Sequence, residues 1–560
     1  MCHTRETMED FASLDCFPRA QIDFSVDRAV NEAAGHAKSA KSKVSFADLL
    51  CVVLLISLCL SIGLPRWRSG MDWSDEGFLA YGAVRVMEGQ VPNRDFVSLQ
   101  PPLSFYTAAA MFELFGTSLA SLRILGLLIY ISIPLLVYGI ARNLAKPALS
   151  LAAGIPAAVL GIPYFYFVPF AVWQGITATL AAIFLYMQAT LGGRRFLALP
   201  AGVLTAVSIL LRHDQGLYLV ISIFTLTWAL KHAQGEPVPG ATLKRVFVLW
   251  LAGASTMILC FGIYWAAEGA LAEMFKQLII FPITTYAKTS ALPFHYFSSR
   301  LPFSRNGVIA LYYLPPIIII ITGIWLVRRR LHRSFCSREA VFTFLVVWSG
   351  LFYLQVLTRS DIFHLLMTLS PFFILLACCS GVFLKNLDGI LGKWAQNRPV
   401  SKVPKILVSV LAGVGATYFL WAISAVCLPE MTRFKETLML ERGGVRVENA
   451  EATADVVRAV QKYAPPDRSI LCLPYQPMFY FLCERRNPTR WNYLWPGDQT
   501  ASDYEALILQ AKNDPPAVVL IMKEQAMSSY APAILDYVHA EYRRAGDSAD
   551  LGVYLPQRIP

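Results

Sequence analysis

The stretch FADLLCVVLLISLCLSIGLPRWRSGMDWSDEGFLAYGAVRVMEG, Phe46 to Gly89, decides the fold. Its first part, Phe46 to Leu64, is an apolar run that ends without a small-residue cleavage site, so it reads as a retained helix and not as a removed signal. Such a run matches the roughly 20 residues that cross a bilayer. Directly after it come Asp72, Asp75 and Glu76 at the start of an amphipathic helix, with Glu88 and Asp95 further on. A chain that leaves a membrane and at once presents paired carboxylates is either capping a helix or building a site there.

The rest of the chain follows the same pattern. Of 560 residues, 56% are hydrophobic and 16% charged, and the mean hydropathy is +0.48. The charged share lies well below the roughly 25% usual in soluble domains, which points to a polytopic membrane protein. The net charge of +11 does not imply nucleic acid. Its basic residues fall in short clusters between apolar runs, as membrane orientation requires.

Apolar runs near 46–64, 120–141, 148–168, 173–191, 196–211, 217–230, 246–266, 308–327, 340–357, 364–384 and 406–427 predict about eleven spans. The run 102–116 is short, carries Pro101-Pro102 and Gly116 at its ends, and reads as an interfacial helix. Alternate loops then carry Arg142/Lys146, Arg194/Arg195, Lys231/Lys244/Arg245, the cluster Arg328 to Arg338, and Lys385 to Lys405. All share the side of the N-terminus, which is therefore cytoplasmic.

Three regions are expected: a polar cytoplasmic segment 1–45, a transmembrane catalytic domain 46–427 with a first exported loop 65–119, and an exported domain 428–560. In the last, helix-like stretches alternate with short β-rich runs (SILCL, AVVLIM), which predicts a small α/β fold. The eleven cysteines show no metal-binding spacing. Cys472 and Cys483 in the exported domain could pair.

Four groups on the outer side could carry chemistry. Asp72 can cap the first-loop helix, and acidic residues suit its N-terminus. Adjacent helical residues diverge by about 100°, so Asp75 and Glu76 cannot both serve that cap. Arg359, Asp361 and His364 stand at the start of a span; Asp361 could cap and Arg359 snorkel, or the guanidinium could bind a phosphate. Arg212, His213 and Asp214 fill a tight turn that needs no function, or aim a cation at a lipid phosphate. The loop 268–306 carries Lys276, Tyr286 and Lys288 on an interfacial segment whose plainest reading is membrane association. Together they offer a carboxylate able to act as a general base and cations able to stabilise a departing phosphate.

The acidic pair after the first span, followed by RDFVSLQPPLSFYTAAAMFELFGTSLASLRILG (Arg94 to Gly126), resembles the first exported loop of the GT-C glycosyltransferases, above all protein O-mannosyltransferases and lipid A aminoarabinose transferases. RSDIFH, Arg359 to His364, resembles a motif of bacterial members. The likeness implies a GT-C membrane fold with interfacial helices in the first loop. It also implies inverting transfer from a polyprenyl-phosphate sugar donor to an exported glycan, lipid or protein acceptor at the outer face of the membrane. By position it makes Asp75 the general base, Glu76 its acceptor-binding or orienting neighbour and Asp95 a second acidic residue. Arg212, where members often have Lys, and Arg359 become donor-phosphate ligands.

Metal use stays open: oligosaccharyltransferases of the superfamily need a divalent cation, O-mannosyltransferases do not, and Asp75, Glu76, Asp95 and His364 could supply ligands. The tail motif WWDYG of oligosaccharyltransferases is absent, as it stands, from this chain. Two other readings are a flippase of polyprenyl-linked sugars and a non-catalytic scaffold. A flippase should place charges along mid-membrane helices, where this chain has few.

Overall fold

The computed structural model describes residues 45–234, 238–297, 303–332, 335–395, 434–548 and 551–557. The chain divides at Leu50 into two units, Met1–Leu50 and Cys51–Pro560, and the account below concerns the second. The polar segment before Ser45, the eleventh apolar run 406–427, and the basic residues Arg333, Arg398, Lys402 and Lys405 lie outside the described residues.

Helices α1 (Phe46–Gly63), α2 (Asp75–Met87), α3 (Leu103–Phe115), α4 (Leu119–Ala141), α5 (Pro147–Val159), α6 (Ala171–Thr190), α7 (Ala198–Leu211), α8 (His213–Lys231) and α9 (Gly240–Ala267) follow in order. A helical segment then starts at Leu271–Phe275, widens into π-helical turns at Lys276–Ile280 and Pro282–Tyr286, and ends at Ala287–Thr289. Helices α10 (Phe303–His332), α11 (Ser337–Thr358) and α12 (Ile362–Ala395) complete this part.

Among the described residues seven helices are long and apolar enough to cross a membrane: α1, α4, α6, α9, α10, α11 and α12. Three other expected runs differ. The run 148–168 is broken: α5 stops at Val159, and Gly161, at φ 124°, turns the chain into a 3₁₀ turn, so no single helix spans it. The run 196–211 becomes a 14-residue helix, and 217–230 lies within the 19-residue α8, whose first turn is polar. Helix α3 has 13 residues, about 20 Å of rise, too short to span hydrocarbon and in keeping with an interfacial helix. Leu259 and Ile263 on α9 and Ile320 and Ile321 on α10 face outward, as expected where hydrocarbon is the solvent.

The C-terminal region is α/β. A short hairpin β1 (Glu436–Thr437) and β2 (Arg446–Val447) precedes α13 (Ala450–Tyr463). Strand β3 (Ile470–Leu473) leads through α14 (Met478–Cys483) and α15 (Ala501–Asn513) to β4 (Val518–Met522), after which come α16 (Glu524–Met527), α17 (Pro532–Glu541), β5 (Tyr542–Ser548) and β6 (Leu551–Pro556). The sheet order is β3-β4-β6-β5, with β3 and β4 parallel at the register Ile470↔Val518 and the other pairs antiparallel. A parallel pair needs a crossover, which α14 and α15 supply. Cys472 and Cys483 are buried free thiols here.

This domain shares its core with the first loop. Phe78, Phe105 and Phe112 from α2 and α3 pack in one apolar cluster with Met478, Phe479, Phe481 and Cys472. Aromatic pairs stitch the contact, with Tyr81 stacked on Tyr480 at 4.9 Å and Phe112 on Phe481 at 5.6 Å. Polar groups finish it: the Asn487 N–H donates to Tyr81 at 2.7 Å, and buried Arg85 donates to the Asn492 side chain at 2.8 Å. The loop helices that carry the carboxylates are thereby clamped from above.

Candidate active site

The turn before α2 separates the acidic residues by job. Asp72 Oδ1 accepts from the Ser74 and Asp75 N–H groups at 2.9 and 2.8 Å, and Glu76 Oε2 accepts from the Asp72 N–H at 3.1 Å. Capping is thus the work of Asp72 and Glu76. Glu76 is fully buried and pairs with Arg123 of α4, whose Nη2 lies 2.7 and 2.8 Å from its two oxygens. Burial pushes the Glu76 carboxyl up and the guanidinium pulls it down. The arrangement gives Glu76 a structural partner and turns it away from solvent.

Asp75 is left over. Its side chain is exposed, and among the described residues its carboxylate has no hydrogen-bond partner. Protein atoms still crowd it on its flanks. That enclosure raises its pKa to about 7, with the Asp72 charge adding and the Arg359 charge opposing. A carboxylate that is wet, unpartnered and poised near neutrality suits proton abstraction.

Arg359 sits in the non-helical joint between α11 and α12. Its Nε donates to Asp361 at 3.0 Å and its Nη1 reaches the Tyr286 hydroxyl at 3.5 Å, while Asp361 caps α12 through the His364 N–H and holds the His364 ring at 2.9 Å. Burial pushes the Asp361 carboxyl up, but hydrogen bonds from the His364 ring and N–H and from Arg359 outweigh it and hold the carboxyl at about 2. Arg212, between α7 and α8, makes a bidentate pair with Asp214 at 3.0 and 2.7 Å, and Gln355 of α11 donates to the same carboxylate at 2.9 Å. The Tyr286 hydroxyl thus brings the π-helical segment to Arg359. Each guanidinium stays about one-third exposed.

The remaining candidates are placed elsewhere or have other work. Asp95 accepts from Arg94 at 2.8 and 2.9 Å and from the Val91 N–H at 2.7 Å, which locks the first loop. His213 keeps a buried Nδ1 without a hydrogen-bond partner, and Lys288 is exposed. Among the described residues no group of three His, Cys, Asp or Glu side chains converges as metal ligands. Glu76, Asp95 and His364 are instead held by Arg123, Arg94 and Asp361.

Three contributors escaped the sequence reading. Arg123 was legible in principle, since a guanidinium within an apolar helix must find a carboxylate. Tyr493 packs edge-on against Phe78 at 5.1 Å, one turn beyond Asp75, and the Asp75 charge helps push its phenol up. Asp498 accepts from Thr289 at 3.0 Å and so ties the C-terminal domain to the π-helical segment. Neither of the last two carried a sequence signal, because both reach the site through tertiary contacts.

No family model matches the chain, and no curated protein matches it in sequence. Solved structures do. ArnT from Cupriavidus metallidurans, bound to undecaprenyl phosphate, superposes with a TM-score of 0.52 over 90% of this chain and 97% of that one at 14% identity. In the apo state the TM-score is 0.53 at the same coverage and identity. The fold is that of the GT-C glycosyltransferases. The archaeal oligosaccharyltransferase AglB from Archaeoglobus fulgidus, in complex with an inhibitory peptide and a dolichol-phosphate, agrees at a TM-score of 0.51 and 12% identity over 91% of this chain and 74% of its own. The expected GT-C architecture, helical membrane part plus small C-terminal α/β domain, is therefore the one this chain adopts.

Proposed function

We propose that the protein is a membrane glycosyltransferase that moves a sugar from a polyprenyl-phosphate donor to an exported acceptor, with Asp75 as general base. The observation that carries this is the exposed Asp75 carboxylate, without a hydrogen-bond partner among the described residues and within electrostatic reach of Arg359, in a GT-C fold. A structural neighbour, ArnT, holds undecaprenyl phosphate.

In the proposed step Asp75 takes the proton of an acceptor hydroxyl. The oxygen attacks the anomeric carbon from the face opposite the phosphate, the new glycosidic bond forms, and the carbon–oxygen bond to phosphate breaks with its electron pair leaving on polyprenyl phosphate. The sugar is inverted. Arg359 and Arg212 offset the charge that grows on the departing phosphate; their present carboxylate partners hold the guanidinium planes in place. Asp361 and His364 position Arg359, and Lys288 lies on the segment that carries Tyr286. We place α2, α3, the π-helical segment and the C-terminal domain outside the membrane, with the N-terminus cytoplasmic.

The test is release of polyprenyl phosphate by purified protein in lipid, offered a panel of labelled polyprenyl-phosphate sugars and a crude cell-envelope acceptor. Asp75→Asn should slow release by about 10²-fold or more while leaving the protein folded. Release that ignores Asp75→Asn removes Asp75 as base. Silence across the panel, with donor still bound, moves the protein to transport.

A further inference from the structure

The segment Tyr493 to Gln499 runs from Phe78 of the Asp75 helix to an exposed aromatic plate. Trp495 is 38% exposed, and Tyr475 backs it with ring centroids 5.4 Å apart and a tilt of 49°. Lys523 in turn stands 5.5 Å from the Tyr475 ring centroid.

This indole is held rigidly. Leu494 before it is buried and donates its N–H to Pro474 O at 2.5 Å, while the Trp495 N–H donates to Gln499 Oε1 at 3.1 Å. The turn after it closes through Asp498 N–H to Trp495 O at 3.1 Å. Gly497 has φ 86°, and a Cβ there would lie 2.9 Å from the Thr289 methyl, so the turn is pressed onto the π-helical segment. Along its own loop the exposed neighbours of Trp495 are Pro496, Gly497 and Thr500, with no further large apolar side chain. A single fixed ring with a polar border is a poor membrane anchor and a good plate for one flat ligand ring.

The chemistry at the border narrows the ligand. A pyranose has one face of C–H groups and a rim of hydroxyls. The plate would take the face, while Tyr493, whose ring packs on Phe78 of the Asp75 helix, and Asp498, bonded to Thr289, would take hydroxyls. We propose that this loop is the acceptor subsite and that the acceptor is a saccharide, with one ring on Trp495 and its hydroxyls at Tyr493 and Asp498. The proposal rests on Asp75-centred transfer as read above, and it assigns a task to the stretch WNYLWPGD.

Binding can be read apart from catalysis. The full chain in nanodiscs, without donor, is titrated against fluorophore-labelled oligosaccharides of glucose, galactose, mannose and N-acetylglucosamine, followed by anisotropy. The native chain should bind at least one of them, Trp495→Ala should weaken that binding by about tenfold or more, and Trp495→Phe should restore most of it. No binding by the native chain, or binding indifferent to Trp495→Ala, overturns the proposal. So does a loss of brominated-lipid quenching in Trp495→Phe relative to the native chain, which would assign the indole to the bilayer. If oligosaccharide binding depends on Trp495 but transfer survives Asp75→Asn, the base assignment falls and the subsite stands.

Discussion

At the scale of single residues, two neighbouring carboxylates receive opposite fates from about 100° of helical rotation. Glu76 turns inward to Arg123, and Asp75 turns to water. With its pKa raised to about 7, Asp75 is protonated below that value and can accept a proton only above it. The rate of polyprenyl phosphate release should therefore climb as pH passes through about 7, and a flat profile from pH 5 to 9 would contradict the assignment. The same shift works against the fold at high pH. Ionisation costs the folded state more than the unfolded one, so stability is highest below the ordinary value of 3.8, where Asp75 is protonated in both states, and falls as pH rises through about 7. Asp75→Asn should accordingly melt no lower than the native chain at pH 8, by thermal unfolding in detergent.

At the scale of elements, the active helix is held by what packs on it. A Cβ on Gly77 would stand 2.3 Å from the Met478 backbone nitrogen, so α2 and α14 meet at a bare backbone. Gly77→Ala should force them apart, costing about 1–3 kcal/mol and lowering transfer by moving Asp75 relative to Arg359. Arg123→Met leaves Glu76 buried and unpaired and should cost about 3–5 kcal/mol, whereas adding Glu76→Gln to it should return much of the loss. Thermal midpoints of the three variants check this, and an equal loss in the single and double variants would show that packing, and not charge, dominates. The joints between helices matter as much as the helices: Arg212 and Arg359 both sit in extended backbone between two helices, where Arg212 pairs with Asp214 and Arg359 reaches Asp361 and the Tyr286 phenol.

At the scale of the whole molecule, the C-terminal domain belongs to the proposed site. It shares an apolar core with α2 and α3, packs Tyr493 on Phe78 and ties Asp498 to Thr289. It follows that the domain and the first loop lie on one side of the membrane. A membrane-impermeant maleimide applied to intact cells should label Ser502→Cys above the background of the native cysteines and should spare Arg194→Cys. The reverse pattern would invert the proposed orientation.

The sequence by itself determined the class of molecule. Long apolar runs such as those of α4 and α9 declare themselves because hydrocarbon requires every backbone group to be satisfied within a helix. The short run 102–116 was legible as non-spanning by length, and the acidic pair with RSDIFH marked the right family of folds. The break at Gly161 was not legible, since Pro and Gly are tolerated inside membrane helices and only packing decides where they end one. Nor could periodicity tell which of Asp72, Asp75 and Glu76 are tied into the turn and which is left over. Only the tertiary structure decided that, by supplying Arg123 from α4 to one carboxylate and leaving another without a partner. Tyr493 and Asp498, more than four hundred residues from Asp75 in the chain, were beyond any local pattern for the same reason. An isolated aromatic or acidic residue acquires a role from what the fold brings against it.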